Sequence, residues 1–402
     1  MTTLQSELTL DLIPSARHGR SSEGAFLRGP DGAILFAYSC YHSGCSGDDD
    51  ACDIAMRVSR DEGATWGEEC IIARAADFGV SNVMSVSQLR QRDGRFGFYF
   101  LIKENDGTST VGRTLSEDGV HFTPMRCDCR IPKAYYVINN DRLERLADGT
   151  LVAPASTVPV WMDDAGQKHY DFNFTTVVLV SRDDGASFTL APPRLTLNDR
   201  ASGRCASGMM EPGLLQKRNG TLWLWARTVL GYQYESFSPD GMQTFTPPVP
   251  SPFTSPDSPM EVLRGRDGTL YLAYNPIPRY NGRDCTASWG RTPLALRISR
   301  DDGCSWSDLF LLEDDPQRGY CYPALFETDD HALLAAFCRG GPRDGNCLCR
   351  LGIRKIPLDQ LENAPSPALF HYKNCDCAAL NVRRNRFFDF SGESAEFFAF
   401  HS

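Results

Sequence analysis

Long apolar runs are missing from this chain. No stretch approaches the roughly 18 apolar residues of a membrane-spanning helix, so no span and no membrane partner is expected. The start, Met1-Thr2-Thr3-Leu4-Gln5-Ser6, has neither a basic region nor an apolar core. No secretory signal is read there, and the expected location is cytoplasmic, with secretion left open should a signal have been removed. Basic runs are missing too, and the net charge is −10. A nucleic-acid partner is therefore not expected, although a small anion held by a few buried arginines is compatible with that balance. Cysteine is plentiful, at 15 residues, but the usual zinc spacing is not there. The close pairs are Cys127-x-Cys129, Cys347-x-Cys349 and Cys375-x-Cys377, with one residue between, whereas zinc sites are built on pairs with two to four residues between. Free thiols are expected, with no metal and no organic cofactor. Charged residues at 23% and hydrophobics at 42% describe a globular chain.

What is present is a repeat. Ser59-Arg60-Asp61-Glu62-Gly63-Ala64-Thr65-Trp66 recurs as Ser181-Arg182-Asp183-Asp184-Gly185-Ala186-Ser187-Phe188 and as Ser299-Arg300-Asp301-Asp302-Gly303-Cys304-Ser305-Trp306. Shorter copies begin at Ser116 and Ser238, so the starts are 57, 65, 57 and 61 residues apart. Near-regular spacing of this size signals an array of like units. In each copy an Asp can accept backbone N–H groups in a tight turn, the Gly supplies a positive φ, and the hydroxyl residue joins the same turn. The closing aromatic ring is expected to pack back on its own unit. A second repeat is a turn followed by an apolar strand, beginning at Asp31, Asp93, Asp148, Asn219, Asp267 and Asp330. Asp-Gly or Asn-Gly between apolar runs is a hairpin signal. Together they predict an all-β, six-bladed β-propeller over residues 1–357 with four strands per blade. Residues 5–13 alternate polar and apolar, and are expected to supply the strand that closes the ring.

In a propeller the first strand of each blade lines the central channel. Its start and the end of the second strand then share one mouth. This places first-strand starts near Glu23, Asn82, Asn140, Glu211, Ser258 and Tyr322, and second-strand ends near Tyr38, Lys103, Ser156, Arg227, Asn275 and Arg339. Asn139-Asn140-Asp141-Arg142 and Met210-Glu211-Pro212 make these positions polar, and Arg227 is the expected partner of Glu211, across one hairpin. The loop from Cys40 to Asp53 holds Asp48, Asp49 and Asp50. It lacks the calcium-loop pattern, and one of its acids is read as a proton donor. The loop at 157–172, with Trp161, His169 and Tyr170, is read as a lid or an aromatic wall.

At these residues the chain resembles the sialidase (neuraminidase) superfamily, and most closely its bacterial BNR-repeat, Asp-box members. The resemblance covers about residues 15–357 and rests on the Asp boxes, on Met210-Glu211-Pro212 with Trp225-Ala226-Arg227, on Arg291 in Gly290-Arg291-Thr292-Pro293-Leu294, and on Tyr320-Cys321-Tyr322-Pro323. It implies an exo-acting, retaining glycoside hydrolase that releases a terminal acidic sugar such as sialic acid. Tyr322, with Tyr320 as fallback, would be the nucleophile, activated by Glu211. Asp48, or Asp49 or Asp50 if the loop shifts, would be the acid/base, and Arg227 and Arg291 would hold the substrate carboxylate. The family's first-strand Arg is missing, because its position falls at Ser22 or Glu23, and Arg20 is the nearest substitute. Arg20, Glu23, Asn140 and Arg142 complete the expected substrate-binding set. The partner implied is an acidic glycan. Two alternatives stand beside this reading: a polysaccharide lyase acting on uronate-containing glycans, and a non-catalytic carbohydrate-binding propeller. Residues 358–402 do not fit the repeat and are set apart as a C-terminal extension, with packing on the propeller, pairing with another subunit and disorder all open.

Overall fold

The computed structural model describes residues 2–197, 207–276 and 288–362. The expected extension at 358–402 lies outside the described residues from 363 onward. The architecture is all-β and propeller-like, and none of the described helices is long and apolar enough to cross a membrane. Each turn of the second repeat joins two antiparallel strands: Arg28 pairs with Ile34, Arg90 with Phe96, Arg145 with Leu151, Gln216 with Leu222, Arg264 with Leu270 and Glu327 with Leu333. Five of these turns use a positive-φ Gly, and in the last His331 takes that conformation at φ 62°. His18–Arg28, Ile34–His42, Cys52–Ser59 and Cys70–Ala73 follow one another in one unit. A single parallel pair, Cys52 with Asn82, links it to the next unit, Asn82–Arg90 to Thr123–Arg126. Glu7–Leu12 pairs antiparallel with Leu351–Pro357, in the sheet that also holds Cys321–Glu327 and Ala332–Cys338. The cysteines among the described residues are free thiols.

The aspartate turns form as their chemistry dictates. Asp61 accepts from the Thr65 amide at 2.9 Å and the Thr65 hydroxyl at 2.5 Å, and Ser59 Oγ accepts from the Gly63 amide at 2.8 Å. Asp183 and Asp301 repeat the pattern with Ser187 and Ser305. The residue before each Gly is left-handed as well, at Glu62, Asp184 and Asp302.

Two of the closing rings do pack on their own unit, Trp66 on Phe26 and Phe36 and Phe122 on Phe98, while others reach across to a neighbouring sheet. Trp306 packs 5.3 Å from Phe253 and 6.2 Å from Trp223 of the preceding sheet, Phe188 meets Tyr99 of the sheet before it, and Trp66 donates to Thr9 Oγ1 at 3.2 Å. A sheet only four strands wide has two apolar faces to cover, and the seam between sheets is where a large ring displaces most water. The core is accordingly a set of seams. One cluster joins Trp223 and Trp225 to Leu270, Leu272 and Trp306 across two successive sheets, and another joins Phe26, Phe36 and Tyr38 to Ala324, Leu334 and Ile353. Trp306→Ala is expected to cost about 3–5 kcal/mol in chemical denaturation, the range for emptying a buried large aromatic site. The Asp301→Ala turn variant, which loses hydrogen bonds at a more exposed site, should cost only about 1–2 kcal/mol.

Candidate active site

Four of the first strands share a local irregularity. Their pairing slips between Ser22 and Ala25, Met84 and Ser87, Met210 and Gly213, and Cys321 and Ala324. Inside each slip sits a non-Gly residue in the left-handed region: Glu23 at φ 56°, Ser85 at 60°, Glu211 at 45° and Tyr322 at 53°. Asp141, at 56°, stands in the same place between Tyr135–Val137 and Glu144–Arg145. A bulge adds a residue and re-aims its side chain. Left-handed backbone at such residues costs roughly 1–3 kcal/mol each and persists only where the surroundings impose it. The bulges carry a sequence signal. Pro212 and Pro323 interrupt strand patterns, and an interior strand tolerates Pro at a bulge. Gly24 and Gly213 sit where a Cβ would fall 2.3 Å from the Phe36 ring and 2.4 Å from the Trp225 ring.

The bulged side chains meet. Tyr322 Oη donates to Glu211 Oε1 at 2.9 Å, Arg227 Nη1 lies 2.9 Å from Glu211 Oε2, and the same nitrogen reaches Tyr322 Oη at 3.3 Å. Arg291 lies 5.7 Å from the Tyr322 ring and donates to the Asp257 carbonyl at 2.9 Å, while the Asp257 carboxylate stands 3.3 Å from Arg227 Nε. All four of Glu211, Arg227, Arg291 and Tyr322 are buried. Burial, and then the Glu211 charge, push the Tyr322 phenol up, so it keeps its proton at rest. Burial also raises the Glu211 carboxyl, against the pull of Arg227 and Arg291.

Of the three loop acids, Asp48 is the one that feels the charge of Arg227. Arg20 Nη1 holds its carboxylate at 2.6 Å. Asp49 is taken by Lys103 at 3.1 Å and Lys168 at 2.6 Å, and Asp50 caps the loop by accepting from the Ser46 and Gly47 amides. Solvent loss pushes Asp48 up, but the charges of Arg20 and Lys103 outweigh it and hold the carboxyl below its ordinary range. Glu23 lies 3.5 Å from Arg20 and accepts from Ser85 Oγ at 3.2 Å. Burial pushes it up to about 7, against Arg20 and with help from Asp48 and Glu211.

Two expected binding residues are spent elsewhere. Asn140 donates to the Gly24 carbonyl at 2.8 Å and to the Tyr322 and Pro323 carbonyls at 3.4 Å. Those carbonyls lie in the two bulges, where ladder partners are missing, so the amide satisfies backbone rather than ligand. Arg142 donates to the Met260 carbonyl at 2.9 Å and pairs with Glu261. Tyr320, the fallback for Tyr322, is fully buried against Phe337 and belongs to the core. Three participants were not singled out from the sequence as site residues: Ser85, Asp257 and Lys168. The 157–172 loop forms a hairpin, Val160–Met162 with Lys168–Tyr170, that Lys168 ties to Asp49. Tyr135 lies 5.5 Å from its Tyr170, and Trp161 is exposed.

Residues 35–335 match the family described as a BNR repeat-like domain. No curated protein matches the chain by sequence. Among solved structures, a protein of unknown function from Dyadobacter fermentans aligns with TM-score 0.63 at 15% identity, over 88% of this chain and 99% of that one. The Hadza microbial sialidase Hz136 aligns with TM-score 0.63 at 16% identity, over 85% of this chain and 66% of that one, just under two thirds of its length. The NanB sialidase of Streptococcus pneumoniae aligns with TM-score 0.63 at 12% identity, over 89% and 71%. At these identities the likeness is one of fold.

Proposed function

Because this chain belongs to the BNR repeat-like domain family and is a sialidase-like member of that superfamily, we propose that it is an exo-acting glycoside hydrolase that releases a terminal acidic sugar with retention. The observation that carries this reading is the Tyr322–Glu211 hydrogen bond of 2.9 Å, buried beside two guanidinium groups. A binding module has no use for a phenol poised against a carboxylate, whereas a retaining enzyme with a tyrosine nucleophile needs that pair. Tyr322 Oη attacks the anomeric carbon while Glu211 takes the phenolic proton. The glycosidic C–O bond breaks, and Asp48 supplies a proton to the leaving oxygen. Water, deprotonated by Asp48, then cleaves the sugar–tyrosine bond, and the proton returns from Glu211 to the phenol. The Arg20 pair keeps Asp48 ionised in the free protein, which is the form the second half requires. The first half requires that pair to loosen when substrate enters, so that Asp48 takes up a proton from solvent before it donates to the leaving oxygen. Arg227 and Arg291 hold the sugar carboxylate, and Glu23, at the place of a third guanidinium, donates to it while protonated.

The same reading extends to the architecture: six blades in one ring, closed by Glu7–Leu12. Clusters joining each sheet to the next, and His18–Arg28 packing against Cys321–Glu327, support it. The test is release of 4-methylumbelliferone from its N-acetylneuraminate glycoside by the full chain. Turnover with initial release of the α-anomer is expected. A folded protein that releases nothing from this glycoside, nor from those of other acidic sugars, would end the hydrolase reading, and a rise in unsaturated-uronate absorbance would replace it with a lyase.

A further inference from the structure

A second group of reactive side chains lies in the same first unit, on the far side of its sheet from Arg20. His18 opens the strand His18–Arg28, Cys40 stands near the end of Ile34–His42, and Glu69 directly precedes Cys70–Ala73. One donor atom from each lies within 4.8 Å of the other two. Cys40 Sγ is 3.1 Å from His18 Nδ1 and 3.9 Å from Glu69 Oε2. His18 Nε2 and Glu69 Oε1 are 2.9 Å apart, yet neither of these buried atoms has a hydrogen bond of workable geometry. Buried polar atoms left without partners are rare, and an unplaced ion is one of the standard reasons for them.

We propose that His18, Cys40 and Glu69 bind a divalent transition-metal ion of the zinc class. Thiolate, imidazole and carboxylate together are a zinc donor set, and the sulfur and nitrogen select against magnesium and calcium. Tyr38 Oη donates to Glu69 Oε2 at 2.6 Å, the outer-shell bond that orients a ligating carboxylate and leaves Oε1 for the ion. Arg17 lies 3.9 Å from Glu69 Oε1 on an exposed side chain that can withdraw. Binding displaces the Cys40 proton to solvent. A cysteine nucleophile with His18 as base is the competing use of the same three groups. It is disfavoured because Cys40 is 1% exposed, packed against Tyr38, Ala336 and Leu351, with no path for a substrate. Tyr41, the neighbour of Cys40 that carries Arg20, points to the opposite face. The ion therefore ties strands of one unit together and takes no part at Tyr322. The spacing of 18, 40 and 69 matches no metal motif, because each ligand comes from a different strand.

The full chain, stripped with chelator and titrated with cobalt(II) and then zinc, tests this. One equivalent of cobalt is expected to give thiolate charge-transfer absorption in the near ultraviolet, displaced by zinc. Cys40→Ser should abolish the band, and Tyr38→Phe should weaken affinity about tenfold. Cys321→Ser, at a buried thiol outside this cluster, should keep it. Zinc should raise the melting temperature of the wild type and leave that of His18→Ala unchanged, which serves as the readout if Cys40→Ser does not fold. Absence of stoichiometric binding, or a band that survives Cys40→Ser, overturns the proposal.

Discussion

Tyr322→Phe is expected to lower kcat on an aryl sialoside by on the order of 10⁴-fold or more, with an unchanged melting temperature. The variant removes one oxygen. That oxygen is the attacking atom, and its hydrogen bond to Glu211 is the route by which its proton leaves. The ring remains, so packing against Leu348 and Trp289 is kept. The loss should fall on kcat, because Arg227 and Arg291 still hold the sugar. Glu211→Gln keeps the shape and removes the base, and should cost about 10²–10⁴-fold. Its effect should not add to that of Tyr322→Phe, since the two act as one unit. Retention of more than a tenth of the activity by Tyr322→Phe would exclude it as nucleophile.

From about pH 7 upward, kcat/KM on an acidic-sugar glycoside is expected to fall about tenfold per pH unit, mainly through KM, and Glu23→Gln should flatten that fall. Burial pushes the Glu23 carboxyl up to about 7. Below that pH it is neutral and can donate to the substrate carboxylate. Above it, two anions face each other at a buried carboxylate, where repulsion is less screened than in water. The stability linkage has the same direction. The folded-state value lies above the ordinary 4.5, so the native state keeps a proton that the unfolded chain releases. That contribution is complete below about pH 4.5 and is lost as pH rises to about 7. Asp141 and Glu144, also pushed up to about 7 by burial, act in the same sense. The melting temperature should therefore decline between about pH 4.5 and 7. Following both melting and KM separates the two effects, because Glu23→Gln removes the KM dependence while Asp141 and Glu144 still tilt the melting curve. A pH profile that Glu23→Gln leaves unaltered would remove Glu23 from substrate contact.

The turns, the hairpins and the Glu211–Arg227 pair were legible from residues alone. An aspartate turn is complete within about eight residues: Asp301 finds Ser299 and Ser305 on its own segment. Glu211 and Arg227 flank one hairpin, so local pairing suffices to bring them together. Other features depend on what comes from far along the chain. Tyr322 reaches Glu211 across 111 positions. Asp48 differs from Asp49 and Asp50 only in meeting Arg20, where its neighbours meet lysines and amides. Asn140 reads as a polar residue at the mouth, but it is consumed by carbonyls that bulges in two other strands leave unpaired. Phe188 and Trp306, which close two of the aspartate turns, read as local and are drawn into the seam with the preceding sheet. Hydrogen bonds that close within a turn are written in short segments. Charge pairing and burial between strands depend on which surfaces come to face each other, and that is set only when the sheets pack.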